Sequence, residues 1–316
     1  MSDTEKPAGE EFLLREDKAR AVAERVGTLP LLPGAVTRLL RVDPDSDAYF
    51  DELVSISSSE PNLAVRVLRC ANSAFSAPAQ PITSVAQAAQ RIGSNRCGQL
   101  ALAVSVAQVF VPRTPQQREL WAHSLRVASL SELIARANRA RTEICEAAYT
   151  AGLVHDIGRF AMFGCMTTDF NRVAEADWDT PQALLEAEEK LLGYDHTRVG
   201  ELICEHWGLP LPLIEIVRDH HLHTMGTENP DADAPDVATI QLADCVSMCV
   251  ESHPEILQTS SEERAIALGD VVQATIAAAD TEMHALLAER LPKVERHIEL
   301  VLSDILGLSV PDAPRN

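Results

Sequence analysis

Aromatic residues make up only 4% of this 316-residue chain. That scarcity argues against a β-sandwich, whose strands favour aromatic and β-branched side chains. Basic charge is also short: 27 Lys and Arg stand against 47 Asp and Glu, a formal net charge of -20. Non-specific binding to nucleic acid needs a surplus of cations over phosphate, and docking on an anionic membrane needs the same. The expectation is therefore no DNA partner and no membrane partner, although the balance leaves room for a local basic pocket. The seven cysteines are odd in number and form no C-x-x-C pair. Cys70, Cys97, Cys145 and Cys204 lie among apolar neighbours and read as buried free thiols in a reduced, cytoplasmic setting. Long apolar runs are missing as well. The longest, Leu100 to Val111, includes Ser105 and Gln108 and is too short to span a bilayer as a helix. The opening MSDTEKPAGEEF is acidic and polar, without the basic-then-apolar order of a secretory leader.

Hydrophobic residues form 46% of the chain, enough to bury a substantial core, and Ala and Leu dominate them. Such a composition favours closely packed helices. Strand-like alternation, hairpin turns and Gly-rich phosphate loops do not occur, so an all-α fold is expected. Residues 1–15 read as a flexible tail. Pro61 opens a helix with Leu63, Val67, Leu68 and Ala71 at core spacing. Further helices are expected at Ala35-Val42, Phe50-Ile56, Val85-Ile92 (capped by Ser84) and Asn95-Val111. Pro112 to Pro115 is the clearest internal break. Beyond it, helices are expected over Gln116-Ala137, Glu143-Leu153, Thr180 to Leu192 with Gly193 as the stop, Thr197-Trp207, Leu213-His221 and Val237-Val250. The resulting division is an N-terminal lobe over 16–112, a second helical lobe over 113–255 and a C-terminal helical extension over 256–316. In that extension Val271, Ile276, Leu286, Leu287, Leu291, Val294, Ile298, Val301, Leu302 and Ile305 make an apolar stripe. It either packs on the chain's own second lobe or mediates dimerisation, so a homo-oligomer stays open.

Against this background the ten histidines are few, yet His123, His155, His196, His220 and His221 fall in one ordered series with Glu119, Asp156 and Asp244. Imidazole and carboxylate are the ligands that hold Fe, Mn or Zn. Glu119 and His123 are four apart on one helical face. His155-Asp156 ends a helix and can offer a nitrogen and an oxygen to adjacent sites. Asp244 lies between Leu242-Ala243 and Val246, where an unpaired carboxylate would be costly. His220-His221 also ends a helix. His196 could be a ligand or part of a Tyr194-Asp195-His196 capping turn, and for the 155-156 pair metal binding is the favoured reading over a hydrogen-bonded structural cluster. His206 beside Trp207 reads as a packing or hydrogen-bonding residue. His223, His253, His284 and His297 read as surface residues. Asn72-Ser73 and Ser57 to Ser59 read as helix caps and loop closures. Arg126, Arg159 and Arg198 either contact a phosphate or are solvated or paired.

The order of these residues resembles the HD superfamily of metal-dependent phosphohydrolases, and the larger set resembles the binuclear HD-GYP phosphodiesterases. That resemblance implies a primary ion among His123, His155, Asp156 and Asp244, with Asp156 bridging, and a second ion held by Glu119, His196, His220 and His221. Two departures stand against a cyclic-di-GMP phosphodiesterase of that type. Residue 159 is Arg where the active enzymes usually have Lys, and His220-His221-Leu222-His223-Thr224 does not continue into a Gly-Tyr-Pro stretch. The front half is more specific. Leu29-Pro30-x-Leu32-Pro33, Ile56 to Leu63, Val67 to Phe75, Pro81-Ile82-Thr83-Ser84-Val85 and Ile92-Gly93 are similar to the signature of HDOD domains, the HD-related output domains. Trp121-x-His123-Ser124, Ala151 to Gly158 and His206 to Pro210 continue it, so the likeness covers roughly residues 20 to 250. It implies an N-terminal helical lobe packed on an HD-like bundle, and a bacterial signalling module that binds a signalling protein partner and one or two divalent ions (Fe, Mn or Zn). It leans away from catalysis. The alternative it leaves is a metal-dependent phosphohydrolase acting on a nucleotide or phosphoester, with Arg159 touching substrate.

Overall fold

A computed structural model describes residues 18, 20–43, 46–72, 80–176, 178, 181–222, 237–275 and 281–306. Every regular element among them is helical. The front half comprises α1 (residues 20–26), α2 (Gly34–Leu39), α3 (Asp47–Ser59), α4 (Pro61–Ala71), α5 (Val85–Ile92) and α6 (Ser94–Val109). The rest comprises α7 (Pro115–Ala137), α8 (Thr142–Val154), α9 (Ile157–Cys165), α10 (Thr167–Ala174), α11 (Pro181–Leu192), α12 (His196–His206), α13 (Leu211–Asp219), α14 (Val237–Ser252), a 3-10 turn (Pro254–Gln258), α15 (Ser261–Thr275) and α16 (Thr281–Leu306). No helix among the described residues is long and apolar enough to cross a membrane.

Local chemistry accounts for most of the boundaries. Ser46, Ser84 and Asp195 each accept a backbone N–H in the first turn of the helix they precede. Thr114 and Gln117 close a reciprocal capping box at the start of α7, with Pro115 in its first turn. Gly193 takes a φ of 78° after α11, a left-handed conformation costly for any residue with a Cβ. Two elements depart from the sequence expectation. The Ser46 cap starts α3 before Phe50, and the helix continues past Ile56 to Ser59. The chain beyond the 155-156 pair folds into α9 and α10, whose short apolar runs gave no separate periodic signal.

One apolar core runs from Val22 on α1 to Val217 on α13, straight across the proline break at 112–115. Phe110, just before the break, lies 6.0 Å in ring-centroid distance from each of Phe160, Phe163 and Trp207. It also accepts the Trp121 indole N–H at 3.2 Å. The break therefore turns the chain without dividing this core. Trp207 and His206 pin the Leu29-Pro30 segment, bonding the carbonyls of Pro30 and Leu29 at 3.1 and 3.2 Å. A second core joins α7, α14 and α16.

The C-terminal stripe is used within the chain. Leu287, Leu291, Ile298 and Val301 are buried, and α16 lies against α7 as well as α4 and α6 of the front half. The side chains of Val271, Ile276 and Ile305 fall outside the described residues, as do His223, Ser73 and the side chains of Ser57, Ser58 and Cys70. Cys97, Cys145 and Cys204 are buried free thiols. His284 corrects the reading of it as a surface residue: it is buried, its ring close to Gly269. His297 is half-buried against Arg96, while His253 is exposed.

Asn72 closes the loop between α4 and α5. Its amide donates to the carbonyls of Leu68 and Ile82, both at 2.8 Å, and its oxygen accepts the Ile82 N–H at 2.7 Å. Asn72→Ala removes all three bonds at once. It is expected to cost about 1–3 kcal/mol, measured as a lower denaturant midpoint at unchanged slope.

Candidate metal centre

The side chains singled out in the sequence come from five helix segments, and all but Glu119 meet in one cluster. His155 is the last residue of the α8 turn, and Asp156 precedes α9 without capping it. The Asp156 carboxylate is thus free to face inward. Its Oδ1 lies 3.2 Å from His196 Nε2 and 3.7 Å from His220 Nε2. Its Oδ2 lies 3.7 Å from His123 Nε2 and 3.8 Å from His155 Nε2. One carboxylate therefore addresses two histidine pairs.

Two sets of ligand atoms result: Asp156, His196, His220 and His221 in one, and His123, His155 and Asp244 in the other, each with atoms within 4.8 Å of one another. His123 and His155 bring their Nε2 atoms to 3.3 Å, and so do His196 and His220. Two bonds of about 2.0–2.1 Å to one ion, at a near-tetrahedral angle, would place imidazole nitrogens at about this separation. Asp244 Oδ1 sits 3.2 Å from His123 Nε2, and its Oδ2 is 4.0 Å from His221 Nδ1. The donor set and its spacing fit one or two divalent ions of the Fe, Mn or Zn type. Glu119 does not join them. It is exposed on α7, one turn before His123, on the flank that turns to solvent.

Four of the histidines, His123, His155, His196 and His220, are each oriented by a bond on the far nitrogen, the arrangement that fixes ligand tautomers in metal sites. His155 and His220 both end helices and turn Nδ1 back to the carbonyl three residues earlier, Gly152 and Val217, at 2.8 Å each. His196 Nδ1 donates to Glu188 Oε2 at 2.6 Å, and that oxygen also accepts the His196 backbone N–H. His123 Nδ1 donates to Glu251 Oε1 at 2.9 Å, with Ser247 Oγ 3.1 Å away. The Nε2 atoms of these four are left facing one another in pairs and the Asp156 carboxylate.

Glu188, Ser247 and Glu251 were not read from the sequence as part of the site, although a signal was present. Glu188 falls on the Leu184–Leu192 stripe of α11, so a lone acid sits on an apolar face. Ser247 and Glu251 follow Asp244 at three and seven residues along α14, on the same side. Glu188→Gln keeps the shape and removes the charge behind His196. It is expected to weaken ion binding at that half by about 10–100-fold, read by competition with a calibrated chelator.

Burial and charge set the protonation pattern. Burial first, and then the neighbouring imidazoles, hold His155 down to about 4 and His221 well below the ordinary range. Burial also opposes charging His123 and His196. The carboxylates of Glu251 and Asp244 around the former, and of Glu188 and Asp156 around the latter, outweigh it and push both up to about 10. Burial works against ionised Asp156, but Arg159, whose Nη1 donates at 2.8 Å, with the flanking histidines holds its carboxyl well below the usual range. Arg159 also stacks over Trp178 with 5.5 Å to the ring centroid. It is therefore engaged with Asp156 rather than free for a ligand. Arg126 is likewise paired, and Arg198 pairs with Glu201. A divalent cation held there would replace the protons on His123 and His196, so its binding would release protons.

Residues 29–223 match the HDOD domain. A solved HDOD domain protein of unknown function from Geobacter sulfurreducens superposes with a TM-score of 0.68 at 23% identity, over 92% of this chain and 99% of that one. A protein of Shewanella amazonensis described as a candidate phosphohydrolase gives 0.63 at 22% identity, over 89% and 98% of the two chains. A candidate signal-transduction protein of Marinobacter aquaeolei gives 0.65 at 19% identity, over 94% and 66%. At these identities the likeness establishes the fold. Among curated sequences, an uncharacterised protein of Treponema pallidum (strain Nichols) is 23% identical over 205 residues, which is 64% of this chain but only 39% of that protein.

Proposed function

The chain belongs to the HDOD family, and on that premise we propose that it is a bacterial signal-transduction module, working in the cytoplasm through contact with a signalling protein and holding one or two divalent ions in a buried centre. The observation that carries the reading is the state of that centre. Asp156, His155, His196 and His220 are each no more than 2% exposed, and Arg159 donates to Asp156 Oδ2 at 2.8 Å. A phosphoester substrate needs access to the ions, and this arrangement gives them structural support instead. A divalent ion held there would supply a Lewis acid and fixed positive charge. The residues themselves orient the ligands, neutralise Asp156 and Asp244, and exclude water. A net charge of -20 supports a protein partner over DNA or an anionic membrane.

A second reading rests on a specific observation: Asp156 turns one oxygen toward each histidine pair, the disposition a two-ion hydrolytic centre requires. In that reading the protein is a metal-dependent phosphohydrolase acting on a nucleotide or phosphoester. Elemental analysis of protein purified without chelator, coupled to a phosphodiester screen, separates the two. The module predicts stoichiometric Fe, Mn or Zn and no turnover. Saturating turnover abolished by Asp156→Asn would replace it with the hydrolase. Protein with no metal content would remove the ion from both.

A further inference from the structure

We propose that the C-terminal helix α16 sets the ion affinity of the His123 half of the centre, acting through Glu295, Arg126 and Glu251. The inference rests on the reading of the His/Asp cluster as a metal centre and adds a control element to it. Glu295 lies on α16, 169 residues along the chain from Arg126, and beyond the stretch that matches the HDOD domain.

The path is short and continuous. Both Glu295 oxygens accept from Arg126, at 2.5 Å from Nε and 3.2 Å from Nη2. The remaining arm of the guanidinium, Nη1, donates to Glu251 Oε1 at 2.7 Å and to Ser247 Oγ at 3.0 Å. Glu251 Oε1 in turn accepts from His123 Nδ1 at 2.9 Å and from Ser247 Oγ at 3.0 Å. On its other edge, His123 presents Nε2 to His155, Asp244 and Asp156. A single planar cation thus spans α16 and the carboxylate that orients a candidate ligand. Arg126 is 7% exposed, so its donors rely mainly on these protein partners.

Guanidinium geometry makes the coupling directional. The fork that grips Glu295 fixes the plane in which Nη1 meets Glu251. Without Glu295, Arg126 retains only Glu251 as an acidic partner and turns its freed donors on that carboxylate, in competition with His123 Nδ1. The His196 half has its own support from Glu188 and uses none of Glu295, Arg126 and Glu251. The helix that carries Glu295 also touches the front half, with Arg96 of α6 donating to His297. Displacement of α16 would therefore be felt more strongly at the His123 half of the centre than at the other. A purely structural salt bridge predicts general loosening with no such asymmetry.

The test uses full-length protein and Mn2+ titrated by calorimetry, with thermal melts to establish that each variant is folded. Glu295→Gln is expected to weaken one of two binding steps by about 10–100-fold, the range for altered support behind a ligand. Glu188→Gln is expected to weaken the other step, and the two effects should add in the double variant. By reciprocity, Mn2+ should slow hydrogen exchange along α16 in the wild type and less so in Glu295→Gln. Unchanged affinities in folded Glu295→Gln, or equal weakening of both steps, would overturn the proposal. Should wild-type protein bind no Mn2+, the metal reading fails on its own. Histidine ring 15N shifts of the ion-free protein then decide the path: a change at His123 alone in Glu295→Gln supports it, and no change rejects it.

Discussion

Asp156→Ala is expected to strip ions from both halves of the centre together, a larger effect than loss of any other single ligand. Its two oxygens face different histidine pairs at 3.2–3.8 Å, so its removal takes a donor from each. Asp244→Ala, by contrast, removes the acidic oxygen that lies 3.2 Å from His123 and leaves the His196–His220 pair its carboxylate. Losing a direct ligand should exceed the 10–100-fold cost of altering its support, so more than about 100-fold is expected at both sites. Stability should fall as well. Arg159 would lose its 2.8 Å partner and His196 the acid on its inner nitrogen. Breaking a buried ion pair from one side typically costs about 3–5 kcal/mol. Metal stoichiometry by elemental analysis and unfolding by calorimetry read the two consequences separately. Asp156→Asn keeps the shape and separates charge from bulk. An alanine variant that still carried the wild-type complement of metal would refute the bridging role.

The sequence displayed the inner ligands more clearly than what holds them. His123, the 155-156 pair, His196, His220-His221 and Asp244 were visible because their residue types are uncommon on apolar helices, and the fold brings them together. Glu119 lies four residues from His123, but spacing fixes a shared face and not its depth. A helical face is wide enough for one residue to point at the cavity while its neighbour a turn away meets solvent. Glu188 and Glu251 escaped notice for the opposite reason: on an acidic chain, one more glutamate reads as a solvated charge. The proline break was legible, yet whether two cores or one lie across it depends on Phe110 meeting Phe160, Phe163 and Trp207. Such contacts between distant residues leave no local periodicity.

Gly158→Ala should produce the largest loss of stability expected from adding one methyl group. Gly158 lies in the first turn of α9, where a Cβ would fall 1.9 Å from the His196 carbonyl oxygen and 2.8 Å from the Gly200 nitrogen. Both atoms are backbone, so no rotamer change relieves the overlap and the two helices must separate. Added bulk in a packed interior costs about 1–3 kcal/mol and occasionally more, and a clash with fixed backbone belongs at or above the upper end. At roughly 2–4 °C per kcal/mol for larger domains, the melting temperature should drop by about 6–12 °C. Gly200 provides the comparison. A Cβ there would meet Val217 Cγ1 at 2.5 Å, the tip of a side chain, and the Gly158 nitrogen at a tolerable 3.4 Å. Gly200→Ala should therefore cost less, and Val217→Ala in the same chain should recover part of the loss. No substitution at Val217 should rescue Gly158→Ala. The same displacement would draw Asp156 away from His196, now 3.2 Å apart, so ion binding should fall along with stability. If Gly158→Ala melted at the wild-type temperature, the close crossing of α9 on α12 would be wrong, and with it the placement of Asp156 against the His196 pair.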